Sequence, residues 1–127
     1  MNIDNGVSIH IEGEVLHGRR LGRELGFPTA NMEVGDPTIE GGVYASRVEI
    51  DGTTYRAMSN LGCNPSVGGG PRHLETHLFG FAGDLYGRRI RVELVRKIRD
   101  ERRFDSLEAL RRQIGEDRRT VLRLLGD

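Results

Sequence analysis

The chain contains no tryptophan, only one cysteine, no net charge and no long hydrophobic run. With Cys63 as the sole thiol, no internal disulfide can form and a reducing compartment fits; Cys63 itself reads as a small apolar residue at a strand end. The four histidines (His10, His17, His73 and His77) are scattered, and none has zinc-ligand spacing with a cysteine, which argues against a structural metal. No apolar stretch approaches ~18 residues, and the N-terminus lacks a basic segment followed by an apolar one, so a cytoplasmic location without a membrane partner is expected. The Walker A lysine motif and the protein-kinase signatures are absent, as are repeats and low-complexity tracts apart from Gly68-Gly69-Gly70.

What is present describes a turn-rich globular protein. The 127 residues suit one domain spanning 1–127, with 36% hydrophobic and 30% charged residues and 18 glycines. Charge is uneven: residues 88–127 carry a net +5, and residues 1–87 the balancing −5. A basic C-terminal third can mark a nucleic-acid footprint, but acidic residues interleave with the arginines, as on a solvated helix face.

Val7, Ile9, Ile11, Gly13 and Val15 alternate with polar residues, predicting a strand over about Val7 to His17. Gly42 to Ile50 and Thr53 to Leu61 read as two strands joined by Asp51-Gly52, a pair suited to the two-residue type I′ turn. Further strands are predicted from Leu74 to Phe81 and around Ile90, Val92 and Leu94, with Gly83-Asp84 and Tyr86-Gly87 between them. Strands are expected over about 7–104 and a helix over about 106–125. Leu107, Leu110, Ile114, Val121, Leu122 and Leu125 form one helical stripe, Asp105 with Glu108 a capping box, and Gly126 a stop. Several short strands followed by one helix predict an antiparallel barrel or sandwich against which the helix packs.

Three segments could carry chemistry. Gly22 to Asn31 joins a glycine- and arginine-rich loop to a Pro28-Thr29-Ala30-Asn31 turn. Free backbone amides and arginine suit phosphate, and the neutral oxygens of Thr29 and Asn31 suit Mg²⁺; a tight surface loop accounts for the same residues. Val67 to Pro71, with three glycines, could form a flap over a ligand or merely a flexible loop. Glu75 stands among apolar and small polar neighbours in Leu74-Glu75-Thr76-His77-Leu78. Partial desolvation would raise the pKa of such a carboxylate and make it a general base, although most strand glutamates face water.

Taken in order, GRELGFPTAN at 22–31, GGVY at 41–44, SNLGCNPSV at 59–67, LETHLF at 74–79, GDLYG at 83–87 and IRDERRFDSLEAL at 98–110 resemble the riboflavin kinase family over nearly the whole chain. The resemblance implies a mainly β, six-stranded antiparallel, Greek-key-type closed barrel with a C-terminal helix. It also implies ATP-dependent phosphorylation of the ribityl 5′-hydroxyl of riboflavin, giving FMN and ADP. It implies that Thr29 and Asn31 ligate Mg²⁺, or another divalent ion, together with nucleotide phosphate oxygens, and that Glu75 is the base. By the same match Gly18 and Arg23 contact the phosphates, Leu78, Gly80 and Tyr86 border the nucleotide, and Arg99, Arg102 and Phe104 contact the flavin. The sequence departs from the family at Ser66, at Ile98 and over Ala57-Met58-Ser59, none of which is among these metal or base positions.

The inventory suits phosphoryl transfer, which needs positioning, charge neutralisation and a base. Two other readings stay open: a flavin or nucleotide sensor without turnover, and a small nucleic-acid-binding barrel. The third is poorly supplied with stacking platforms, having seven Phe and Tyr in all. Riboflavin, FMN, ATP and ADP are therefore the expected partners of a monomer, with no nucleic acid. The chain leaves no room for the adenylyltransferase domain to which many bacterial relatives are fused. A stand-alone kinase and a kinase domain of a longer protein both fit.

Overall fold

A computed structural model describes residues 8–16, 29–62 and 71–126. Six strands, β1 (Ile9–Glu14), β2 (Thr29–Val34), β3 (Gly42–Ile50), β4 (Thr53–Leu61), β5 (Arg72–Leu78) and β6 (Arg89–Arg99), precede one helix, α1 (Leu107–Leu125). All pairings are antiparallel, in the order β1-β6-β3-β4-β5-β2. β6 returns beside β3 after the β3-β4-β5 meander, which is the Greek-key arrangement. Among the described residues one bridge closes the sheet: the amide of Leu16, two residues beyond β1, donates to the Asn31 carbonyl of β2 at 2.7 Å, so the sheet forms a nearly closed barrel.

The two-residue alternation decides what fills the barrel. Ala30, Met32, Tyr44, Val48, Ala57, Leu61, Leu74, Leu78, Ile90, Val92 and Leu94 project inward and form one buried cluster. Among them the hydroxyls of Ser46, Ser59 and Thr76 satisfy one another at 2.8 Å, a short polar chain crossing three strands within the core. On the outer face Val43, Ala45, Met58 and Phe79 pack against Ile114 and Val121 of α1, forming a second cluster.

The β3–β4 hairpin has the predicted limits. Asp51 and Gly52 both take positive φ (52° and 83°), as a type I′ turn requires. Five other expectations need correction. The Pro-Thr-Ala-Asn segment is not a turn where it is described: Thr29 to Asn31 open strand β2, paired along its length with β5. The expected strand at Val7 to His17 is shorter, from Ile9 to Glu14, with Val7 and His17 outside the described residues. The helix is capped by Ser106, whose Oγ accepts from the Ala109 amide at 3.0 Å, rather than by Asp105. β5 ends at Leu78, before Gly80 at φ 80°, and β6 ends at Arg99, not near residue 104.

Two register shifts in the β3–β6 pairing bring the end of β6 to the helix side. There the strands approach so closely that a Cβ on Gly42, at φ 142°, would lie 2.9 Å from the Arg99 carbonyl oxygen. Glycine is therefore required at the point that delivers Arg99 to the outer face.

Candidate functional site

Antiparallel register assembles the site. Asn31 on β2 lies directly opposite Glu75 on β5, Glu75 opposite Asn60 on β4, Asn60 opposite Val43 on β3, and Val43 opposite Arg99 on β6. A neighbouring row runs Thr29, His77, Met58, Ala45. Because Leu74, Thr76 and Leu78 fill the inward positions of β5, Glu75 and His77 must face outward, beneath α1 and the segment preceding it.

Over these rows lies a cavity of about 920 Å³, within the range of small-molecule sites. Asn60, Glu75, His77 and Arg99 line its floor, and residues 101–107 with Leu110 and Ile114 its walls. Met58, Phe104, Leu107, Leu110 and Ile114 make one side apolar, while the carboxylate and amide lie on the sheet.

Glu75 retains 23% side-chain exposure, so its carboxylate is partly desolvated yet reachable. His77 is 5% exposed, and burial pushes its pKa down to about 4, with Asp117 opposing the shift. Its Nε2 lies 3.9 Å from Glu75 Oε1, which by distance alone is an ion pair. With the ring held neutral by desolvation, the contact is instead dipolar near pH 7. On the other edge of the ring, Nδ1 lies 3.4 Å from Thr29 Oγ1.

Asn31 Oδ1 and Asn60 Oδ1 are buried and, among the described residues, have no hydrogen-bond partner. An unsatisfied buried carbonyl costs about 1–3 kcal/mol, so two of them on either flank of one carboxylate make this row a candidate ligand site. With Thr29 Oγ1, Asn31 Oδ1 offers two neutral oxygens on one strand face, a donor set that fits a hard cation taking its remaining ligands from phosphate and water. Among the described residues, no group of three or more His, Cys, Asp or Glu could hold a metal ion.

Arg99, Arg102 and Phe104 come together at the cavity's end. The Arg99 guanidinium binds the Asp117 carboxylate through Nε (3.0 and 3.1 Å) and Nη2 (2.8 Å), and Nη1 donates to the Asp100 carbonyl. Arg102 donates to Gln113 Oε1, and Gln113 Nε2 donates to Asp117. Both guanidinium groups lie over the Phe104 ring, at 5.9 and 5.2 Å from its centre. The charge of Arg99 is thus committed to the helix, whereas Phe104 and Arg102 remain part of the cavity wall.

The remaining sequence candidates lie elsewhere. Leu78 is fully buried inside the barrel, while Gly80 and Tyr86 are exposed on the β5–β6 connection; none of the three lines the cavity. Gly18, Arg23 and the Gly68–Gly70 loop lie outside the described residues. Sequence reading assigned no role to Asn60, His77 or Asp117. Each carried a signal: Asn60 is two residues from Met58, His77 two from Glu75, and Asp117 interrupts the apolar stripe between Ile114 and Val121.

Comparison with known proteins adds three findings. Residues 5–125 match the family model for riboflavin kinase (flavokinase). The chain is 47% identical over 114 residues to a bifunctional riboflavin kinase/FMN adenylyltransferase of Pseudomonas fluorescens, covering 88% of this chain and 37% of that one. It is 43% identical over 108 residues to an RNA-binding riboflavin kinase of Bacillus subtilis, covering 84% and 47%. It therefore spans less than half the length of these relatives. Among solved structures it is similar to a macrolide-efflux protein from Streptococcus pneumoniae (TM-score 0.79, 37% identity, 88% of this chain and 38% of that one). The riboflavin kinase of Trypanosoma brucei shares its fold (TM-score 0.64, 22% identity, 93% and 77%).

Proposed function

Since the chain belongs to the riboflavin kinase family, we propose that it transfers the γ-phosphoryl group of ATP to the ribityl 5′-hydroxyl of riboflavin, yielding FMN and ADP. The observation that carries this reading is the register that sets Asn31, with its unsatisfied buried oxygen, directly opposite Glu75. This register supports a reading in which the metal-and-phosphate position and the base are neighbours on one sheet face, although they are 44 positions apart in sequence.

Glu75 accepts the proton of the 5′-hydroxyl as that oxygen attacks the γ-phosphorus, and the bond from phosphorus to the β–γ bridging oxygen breaks, with its electron pair leaving on ADP. Thr29 and Asn31 would hold Mg²⁺, which bound there with the nucleotide supplies charge neutralisation on the phosphate oxygens. His77, between Thr29 and Glu75, stays neutral near pH 7 and so adds no charge beside either side chain. Gly18 and Arg23 keep their phosphate role in this reading. Gly80, Tyr86 and the backbone at Leu78 are left for the nucleotide, and Phe104 with Arg102 for the flavin ring.

The efflux and RNA-binding activities in two relatives' names are not carried over. Each match covers under half of the protein concerned. No helix among the described residues is long and apolar enough to cross a membrane.

Incubation with riboflavin, ATP and Mg²⁺ should give FMN and ADP in equal amounts by chromatography. Glu75→Gln should lower kcat by about 10²- to 10⁴-fold. No FMN with any divalent ion would refute the kinase reading, and flavin binding without turnover would establish a sensor in its place.

A further inference from the structure

Asn60 has no place in the mechanism above, yet it shares the row of the base and carries one of the two unsatisfied buried oxygens. We infer that Asn60 is a substrate-binding residue, its Oδ1 accepting a hydrogen bond from a hydroxyl of the acceptor's polyol chain and so presenting the terminal hydroxyl to Glu75. This rests on the kinase reading and extends it to a residue that fixes which alcohol is phosphorylated.

The two orphaned carbonyls flank Glu75 on opposite sides. Asn31 lies on β2, at the barrel seam, and does not line the cavity; Asn60 lies on β4 and does. Phosphoryl transfer needs donor and acceptor on opposite sides of the reacting oxygen, with the base beside the acceptor. The division of the row thus assigns Asn31 to the nucleotide side and Asn60 to the acceptor side.

The chemistry of the occupant follows from its neighbours. Asn60 Oδ1 and the Glu75 carboxylate are both acceptors, so an anion such as phosphate would meet two repulsive partners there, whereas a chain of hydroxyls offers donors to both. Next to Asn60 the floor continues as Met58, and the wall as Phe104, Leu110 and Ile114, apolar surface for a planar ring attached to that chain. A ligand with an apolar ring and a polyol tail satisfies both halves of the cavity at once.

The test compares riboflavin with lumiflavin, the same ring bearing a methyl group instead of the ribityl chain. Their affinities are measured by flavin fluorescence titration in the natural protein, Asn60→Ala and Asn60→Leu. The natural protein should prefer riboflavin. Both variants should bind riboflavin about tenfold more weakly, the usual scale of one lost hydrogen bond, while lumiflavin affinity stays unchanged. Because the orphaned oxygen is removed, the melting temperature should hold or rise in at least one variant, which a structural asparagine would not allow. Equal weakening of both ligands, or full retention of the riboflavin preference, would overturn the role of Asn60 while leaving FMN formation by the natural protein intact. A natural protein that neither binds riboflavin nor makes FMN would overturn the kinase reading, and this inference with it.

Discussion

At the residue scale, His77 shows how burial can serve a site without contributing charge. Its folded-state pKa of about 4 lies below the ordinary value of 6.5, so between these values the unfolded chain binds a proton that the folded chain refuses. Stability from this residue is fully present above pH 6.5 and is lost as pH falls toward 4, by up to about 3 kcal/mol. Melting curves of the natural protein and His77→Asn, recorded from pH 7 to pH 4, should converge as the pH drops. Parallel curves would mean that the folded protein accepts the proton without penalty. At this scale Thr29, Asn31 and Glu75 could be nominated from local pattern, which left a plain loop and a solvent-facing strand glutamate open, and the family resemblance chose between the readings. Alternation shows that Glu75 and His77 share a face, yet nothing within β5 shows that Asn31 and Asn60 stand beside them. That information lies in strand register, a long-range property.

At the element scale, legibility followed the chemistry of the turns. The β3–β4 hairpin could be read to its limits because Asp51-Gly52 dictates both turn and register. β2 was hidden because Pro28 signals a turn locally, while its strand character comes from pairing with β5, from Val34 with Arg72 to Thr29 with His77. The helix start shifted by one residue because Asp105 and Ser106 are both good caps, and only the Ser106 oxygen reaches the Ala109 amide. The apolar stripe of α1 was legible; the acid within it gave no sign of its partner. Asp117 is 3% exposed, and its pairing with Arg99 joins the middle of α1 to the end of β6. Removing one member strands a charge at low exposure, so Asp117→Ala should destabilise by ~3 kcal/mol in denaturant unfolding. Arg99→Met in the same chain should recover much of that loss. If Asp117→Ala alone unfolds at the natural midpoint, the pair contributes no net stability and α1 is held by its apolar face.

For the whole molecule, the barrel brings chemistry to a seam. Five strand pairs are joined by ladders, whereas among the described residues a single bridge, from Leu16 two residues beyond β1 to Asn31 of β2, closes the sheet. The residue whose backbone accepts that closing bond is also the one whose buried side-chain oxygen has no partner among the described residues and is proposed above to hold the metal. We predict that closure of this seam is coupled to occupancy of the proposed site at Asn31; linkage would then make the coupling reciprocal, the ligand favouring the closed barrel by the same factor that closure favours binding. The Leu16 amide reports on this directly. Its hydrogen exchange should slow when Mg²⁺ and nucleotide are added, and exchange at an unchanged rate would show the two equilibria to be independent. In the proposed reading the seam would be a zip whose last tooth is held from the substrate side, fastened by the ligand that Asn31 is proposed to bind.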